Sequence, residues 1–261
     1  QLSAWFLFHG AFRKSASLLS SRVTHVLRPR AELHPAMPDL SVVIVNFRTR
    51  ENLRITLSSV FGSETKYSYE VFVVDNDSRD GSAEMVEREF PTVKLIRSAN
   101  NGFSKANNKA LRQASGRTLL ILNPDTKLSS DVIQSCVDYL SFHPDIGALS
   151  CKVLLGNGTL DKASRRRFPS PLNAFYRFSG LALLFPKSEK LATYNLTFLP
   201  DDQATDVDAI SGCFMLIPRR VLDEVGHFDE RFFMYGEDLD LCLRIKRAGY
   251  RIYYYPAVAI T

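Results

Sequence analysis

The run Leu119-Leu120-Ile121-Leu122-Asn123-Pro124-Asp125 limits the folds open to this chain more than any other stretch. Four successive apolar residues, set off by Gly116-Arg117 before and a proline after, read as a strand buried on both faces. Pro124 has no N–H to give to a ladder, so the strand stops there. A strand covered on both sides belongs to a sheet layered between helices, and in open α/β sheets ligands sit beyond the carboxyl ends of the strands. Asp125 is then a carboxylate delivered to the expected binding edge, although Asn, Pro and Asp also suit a plain turn.

The flanking sequence alternates in the same way. Strand patterns at 41–46, 70–75, 93–97 and 146–151 are separated by helical patterns at 51–61, 82–90, 103–114 and 130–142. Strands and helices alternating at this length imply parallel pairing through crossovers, hence an α/β, mostly parallel, doubly wound Rossmann-like sheet. The rhythm breaks over 152–206, which holds the basic cluster Arg165-Arg166-Arg167 and the aromatic run Phe175-Tyr176-Arg177-Phe178. It resumes with a strand at 213–217, helices at 219–225 and 237–248, and a strand at 251–255.

The first 38 residues read as a separate segment. Trp5, Phe8, Phe12, Ala16, Leu19, Val23 and Val26 recur at helical spacing among Arg13, Lys14, Arg22, Arg28 and Arg30, and Pro29, Pro35 and Pro38 make a linker. Such a basic amphipathic helix suits peripheral contact with a membrane interface, or equally packing on the domain or a partner. The remaining domain spans 39–261. No apolar run approaches the roughly 18 to 20 residues that cross a bilayer.

Composition narrows the class. With 45% of 261 residues hydrophobic, the chain can bury one large core or two modest ones. The 33 basic and 28 acidic residues leave +5, which does not imply nucleic acid and suits anionic phosphates or an anionic membrane surface. Cys136, Cys151, Cys213 and Cys242 form no Cys-x-x-Cys pair, so neither a zinc site nor a disulfide framework is indicated, and a cytoplasmic setting is expected. The chain opens without methionine and stops directly after a strand pattern, which reads as part of something longer.

Three polar stretches carry candidate chemistry. In Asp75-Asn76-Asp77-Ser78-Arg79-Asp80-Gly81-Ser82, a helix N-cap accounts for Asp80 or Ser82 but not for Asp75 and Asn76, which stand where a base or ribose is read. No Gly-x-Gly-x-x-Gly follows the first strand. Asn100-Asn101-Gly102-Phe103-Ser104-Lys105-Ala106-Asn107-Asn108 opens a helix whose free N–H groups suit phosphate, or merely solvent. In Gly236-Glu237-Asp238-Leu239-Asp240, Asp238 heads the stripe Leu241, Cys242, Ile245 and Gly249 and is expected to face inward, where burial raises a carboxyl's pKa. Glu237, Asp240, Arg244 and Arg247 are expected on the solvated face, and the helix dipole explains their acids.

With Val43-Ile44-Val45-Asn46-Phe47-Arg48, Val74-Asp75-Asn76, Asn101-Gly102-Phe103, Asn123-Pro124-Asp125, Arg166-Arg167-Phe168-Pro169 and Glu237-Asp238-Leu239-Asp240 in this order, the chain resembles glycosyltransferase family 2, inverting enzymes of the GT-A fold. It looks most similar to the branch that uses dTDP-L-rhamnose. The resemblance implies a donor half over 39–151 and an acceptor half over 152–261. It makes Asn46, Arg48, Asp75, Asn76, Asn101, Gly102 and Asn107 nucleotide contacts. Asp125 becomes the ligand for Mg2+ or Mn2+, with Asn123 where the family's metal motif has a first acid. Asp238 becomes the general base, and Arg166, Arg167, Gly212 and Glu237 become acceptor or phosphate contacts.

The implied donor is a nucleotide sugar, and the implied acceptor is polyprenyl-diphosphate-linked or polysaccharide, met at the inner face of the cell membrane in cell-surface glycan synthesis. A metal-binding histidine is expected just beyond position 261. A transferase using another nucleotide sugar such as a UDP-sugar, or a non-catalytic nucleotide-binding protein, fits the same residues.

Overall fold

The computed structural model describes residues 37–261; the expected N-terminal amphipathic helix lies outside the described residues. One eight-stranded sheet organises them. The strands are β1 (Leu40–Asn46), β2 (Tyr69–Asn76), β3 (Lys94–Ser98), β4 (Thr118–Leu122), β5 (Ile146–Val153), β6 (Thr205–Val207), β7 (Phe214–Pro218) and β8 (Arg251–Ile260). Their order is β3-β2-β1-β4-β7-β5-β8-β6. The first four are mutually parallel. β7 runs antiparallel to β4 and β5, β8 lies parallel to β5, and β6 lies antiparallel to β8.

The helices are α1 (Arg50–Phe61), α2 (Ser82–Glu89), α3 (Phe103–Leu111), α4 (Val132–Phe142), α5 (Pro171–Phe178), α6 (Leu181–Leu184), α7 (Arg219–Val225) and α8 (Glu237–Arg247). Strand alternation sorts them into two layers. Val42 and Ile44 of β1 join one core with Leu53 and Leu57 of α1, Met85 of α2 and Val132 and Cys136 of α4. Val43 and Val45 join the other with Ala106 of α3, Val221 of α7 and Leu241 and Ile245 of α8. The run Leu119 to Leu122 feeds both, as a doubly covered strand must: Leu120 and Leu122 face one layer, Leu119 and Ile121 the other.

Chain direction sets the edge where ligands meet the sheet. After β1 the chain moves outward to β2 and β3, then returns to add β4 on the opposite side of β1. The carboxyl ends of β1, β2, β3 and β4 therefore gather at one edge, with the reversal of strand order between β1 and β4. Asn46, Asn76, Ser98 and Leu122 end those four strands.

Three expectations need correction. The stretch 152–206, which shows no periodic pattern, holds α5, α6, β6 and a 3-10 turn at Lys162–Ser164, all too short to generate a periodic signal. The last strand continues past Tyr255 to Ile260 through Pro256. It does so because the β5 register slips between Cys151 and Lys152, and an irregularity tolerates a residue without an N–H. The basic cluster Arg165-Arg166-Arg167 does not stay together as one charged surface. Arg165 is 1% exposed, and its guanidinium donates to the carbonyls of Leu199 at 2.9 Å and Pro200 at 2.7 Å and lies over the Tyr254 ring.

Candidate active site

Two adjoining cavities open at the carboxyl edge. One, of about 340 Å3, has Asn76, Asn100, Gly102 and Asp125 in its wall. The other, of about 270 Å3, has Arg166, Gly212, Glu237 and Asp238. Phe103, Asn123 and Met234 belong to both, so Asp125 and Asp238 stand on either side of a shared partition.

Each wall has a local cause. The Asn123 to Thr126 turn is pinned from α1 and from within: Thr56 Oγ1 donates to the Pro124 carbonyl at 2.8 Å, and Thr126 Oγ1 donates to the Asn123 carbonyl at 2.8 Å. The Asn123 N–H donates to the Cys213 carbonyl at 3.0 Å, tying the turn to the loop before β7 that contributes Gly212. Asp125 is left exposed at the tip. Thr261 at the end of β8 pairs through its backbone with Lys127, two residues from Asp125.

Gly102 brings the other side close. Its φ is +91°, a conformation glycine adopts without penalty, and a Cβ there would lie 2.4 Å from the Phe233 carbonyl oxygen and 2.9 Å from its Cα. That proximity allows the Phe103 N–H to donate to Phe233 O at 2.7 Å, joining α3 to the loop that leads into α8. Tyr235 at φ 71° and Gly236 at φ 92° then turn the chain into α8, so a strained non-glycine residue stands directly before the acids. A Gly102→Ala variant is expected to lose about 2 kcal/mol of stability and to displace this loop, since backbone cannot yield as a side-chain tip can; equilibrium urea unfolding measures it.

At the head of α8 the expected roles of neighbouring acids are partly exchanged. Asp238 does face the cavity, but as half of an ion pair: Arg166 Nη2 lies 2.5 Å from its Oδ2, with each side chain 13% exposed. The Leu239 N–H donates to Oδ1 at 2.7 Å. Glu237, expected on the solvated face, is 7% exposed, and its Oε2 is buried without a partner. Burial pushes the Glu237 carboxyl above its ordinary range, with the Asp238 charge adding to the rise. A helical wheel assigns faces for a straight helix against one surface, whereas Glu237 opens α8 directly after the left-handed Tyr235 and Gly236 and lines the same cavity as Asp238. Asp240 follows expectation, pairing with Arg244 at 2.8 Å.

The sign of the Glu237 shift makes a stability prediction. The folded state holds this proton more tightly than the unfolded chain, whose carboxyl titrates near 4.5. Its favourable contribution is complete below that value and is lost as pH rises through the folded value. Glu237→Gln should therefore raise the thermal midpoint at neutral pH and lose that advantage toward pH 4.5; melting curves across that window measure it.

The donor-side residues form a hydrogen-bonded group around the strand ends. Asn46 is fully buried and donates to Ser78 Oγ at 2.8 Å and to Asp75 Oδ1 at 3.3 Å. Ser78 Oγ also accepts from the Arg48 N–H at 3.1 Å, which ties the loop after β1, where Arg48 has positive φ, to the loop after β2, where Asp77 and Arg79 do. Asn76 Nδ2 donates to Asn100 Oδ1 at 2.9 Å, and Asn76 Oδ1 is buried without a partner. Ser78 and Asn100 lie in polar stretches that the sequence reading singled out without giving either residue a role, and Thr56, on a helix face with no pattern to mark it, was passed over.

The expected site residues do not all converge. Asp75, opposite in direction to its neighbour Asn76, borders a separate cavity of about 570 Å3 with Asp77, Arg79 and Arg97, where the arginines already pair with Asp77 and Glu84. Arg48 is exposed, its guanidinium 5.0 Å from the Phe47 ring centre, and Phe47 lines the Asp125 cavity. Asn101 is exposed, and Asn107 is fully buried with its amide donating to the Phe103 carbonyl at 3.0 Å. Arg167 donates to Asp208 at 3.4 Å, away from both cavities.

No cluster of three or more His, Cys, Asp or Glu suited to a metal occurs among the described residues. The donor set at the edge is one exposed carboxylate, Asp125, beside the half-buried Asn123. That set suits a hard cation that keeps waters and shares substrate oxygens, and does not suit a closed tetrahedral site.

The model of the family described as "Glycosyltransferase like family 2" matches residues 38–261. The chain belongs to that family. It is a glycosyltransferase of the GT-A fold, as the resemblance implied. It is 28% identical over 233 residues to the N-acetylglucosaminyl-diphospho-decaprenol L-rhamnosyltransferase of Mycobacterium tuberculosis, covering 85% of this chain and 75% of that protein. It is 26% identical over 224 residues to the rhamnosyltransferase WbbL of Escherichia coli, covering 83% and 80%. Among solved structures, the transferase is similar to the mannosyltransferase PcManGT of Pyrobaculum calidifontis in complex with GDP-Man and Mn2+, with a TM-score of 0.59 at 22% identity. That match covers 87% of this transferase and 57% of the other chain. Among the described residues no helix of the transferase is long and apolar enough to cross a membrane.

Proposed function

We propose that the protein is an inverting glycosyltransferase that moves L-rhamnose from dTDP-L-rhamnose to a polyprenyl-diphosphate-linked or polysaccharide acceptor in cell-surface glycan synthesis. The observation that carries this reading is the partition of Phe103, Asn123 and Met234 between the Asp125 cavity and the Asp238 cavity. A donor diphosphate beside Asp125 and an acceptor hydroxyl beside Asp238 would then meet across it. The sugar and the acceptor chosen here rest on the two rhamnosyltransferase relatives.

In this reading Asp238 takes the proton from the acceptor hydroxyl as its oxygen bonds to the anomeric carbon. The bond from that carbon to the diphosphate breaks on the opposite face, and dTDP leaves, so the configuration inverts. Arg166 orients the Asp238 carboxylate. Glu237 Oε2 and Asn76 Oδ1, both buried acceptors without donors, fit an acceptor hydroxyl and a ribose hydroxyl respectively. Asn46, Asp75 and Ser78 hold the strand ends that would read the nucleotide. Asp125, with Asn123 beside it, would hold Mg2+ or Mn2+, which when bound neutralises charge on the leaving diphosphate.

Incubating the full-length protein with dTDP-L-rhamnose, UDP-sugars and Mg2+ in separate reactions, and measuring nucleotide release with a lipid-linked acceptor, tests the reading. Release of dTDP above every UDP arm is expected; release of UDP alone would replace the donor. Asp125→Asn should weaken metal-dependent dTDP binding by at least the roughly 10- to 100-fold that losing an outer-shell partner costs a metal site, measured by calorimetry with and without Mg2+.

A further inference from the structure

The largest unexplained feature of the described residues is an apolar face on the hairpin of α5 and α6. Leu172, Phe175 and Phe178 recur every third residue along α5 and are 58%, 60% and 88% exposed. Leu183, Leu184 and Phe185 follow at 75%, 72% and 54%. Folded proteins seldom leave so many large side chains of one short segment in water, and a group of this kind marks a surface that something covers. Exposed apolar residues at the sheet edge, such as Phe233 and Met234, have a use in the cleft. Those on the hairpin have none within the chain's described residues.

The charges around the face favour one occupant. Between 170 and 190 the cations Arg177, Lys187 and Lys190 are all exposed and outnumber the single acid, Glu189. Exposed apolar side chains with exposed basic ones in the same short segment match the two layers of an anionic bilayer surface, acyl chains below and phosphates above, with Lys stems spanning the boundary. The anionic leaflet adds attraction for each nearby cation. Behind the hairpin lies a cavity of about 520 Å3 whose walls include Phe178, Leu183 and Tyr194 together with Lys162 and Arg177, again apolar surface beside cations.

The hairpin is also wired to the site. Arg177 stacks over the Tyr194 ring, with its guanidinium carbon 5.3 Å from the ring centre, and the Tyr194 carbonyl accepts from the Arg167 N–H at 2.9 Å. Arg166, the next residue back, pairs with Asp238. We infer that the outer face of α5 and α6 is a membrane-docking surface that seats in the interface of an anionic phospholipid bilayer and thereby presents the Asp238 cavity to substrates held in that bilayer. This deepens the lipid-linked acceptor reading, and it is tested without donor or acceptor, so either can fail while the other stands.

The full chain is mixed with vesicles of phosphatidylcholine alone and of phosphatidylcholine with phosphatidylglycerol, and the bound fraction is measured by flotation. Binding to the anionic vesicles is expected, and the double substitution Phe175→Asp with Leu184→Asp should lower it by about tenfold or more. Both side chains are surface groups, so an unchanged melting midpoint certifies the fold. An environment-sensitive dye on Leu184→Cys should shift to the blue on binding, whereas the same dye on Phe142→Cys, 79% exposed at the end of α4, should not. The native thiols are buried or half-buried and leave the new cysteine as the reactive one. Wild-type protein that ignores anionic vesicles would overturn the inference. So would a double variant that binds as wild type does, a dye at 184 that stays in water, or a variant whose only change is loss of self-association.

Discussion

An Asp238→Asn variant should retain dTDP binding while losing about 100- to 10,000-fold in sugar transfer per folded molecule, the range spanned by removal of a positioned general base, with a lower melting midpoint because Arg166 loses its counter-charge. The amide keeps the shape of the side chain and one oxygen for the Leu239 N–H, which now donates to Oδ1 at 2.7 Å. It cannot take a proton. It also leaves the Arg166 guanidinium, already carrying a buried Nε without a partner, facing a neutral group. Measuring kcat and KM separately distinguishes the two consequences: loss of the base lowers kcat, whereas a guanidinium left to wander disturbs acceptor binding and raises KM. Transfer activity per folded molecule close to wild type, with the melting midpoint lowered, would point to a structural role instead.

Replacing Arg165, the immediate neighbour of the arginine that pairs with Asp238 and two positions from a surface arginine, should have the opposite signature. Arg165→Met is expected to cost about 3 kcal/mol or more in unfolding free energy, because the carbonyls of Leu199 and Pro200 lose their donors and each such buried group costs about 1 to 3 kcal/mol. The contact with Asp201 adds little to that figure, since Asp201 is 57% exposed. Denaturant unfolding measures the loss, and transfer activity per folded molecule should stay close to wild type. Three consecutive arginines thus divide into a structural anchor, a partner for Asp238 and a surface ion pair with Asp208.

That division was not legible in the chain, and the reason is physical. Adjacent residues on an extended segment point in different directions, and what each meets depends on loops such as 199–201 and 208–210 that arrive from elsewhere. The sheet, by contrast, was legible nearly throughout its first half. The apolar strands β1, β2, β4 and β5 must be covered on both faces whatever the loops do, and the Asn-Pro-Asp stop after β4 is a local consequence of proline. β7 read correctly as a strand, but its antiparallel direction did not, because direction depends on the path of 154–213 rather than on the strand's own residues.

The site shows the same boundary between local and distant causes. Asp125 and Asp238 were singled out from their motifs, and they line two adjoining cavities. The environment of the α8 acids was not legible. A periodicity argument placed Glu237 in solvent, yet it lines the Asp238 cavity directly after the left-handed pair Tyr235 and Gly236, and the loop before that pair is held by the contact of Gly102 with Phe233 more than a hundred residues away in sequence.

The account rests on a donor at Asp125 and an acceptor at Asp238 facing each other across Asn123. A crystal structure of the full-length protein with dTDP and Mg2+ tests it most directly. The diphosphate is expected beside Asp125, in the cavity bounded by Asn76 and Gly102, with the cavity at Asp238 left open next to it. Nucleotide bound instead among Asp77, Arg79 and Arg97, with Asp125 untouched by either phosphate or metal, would contradict the account.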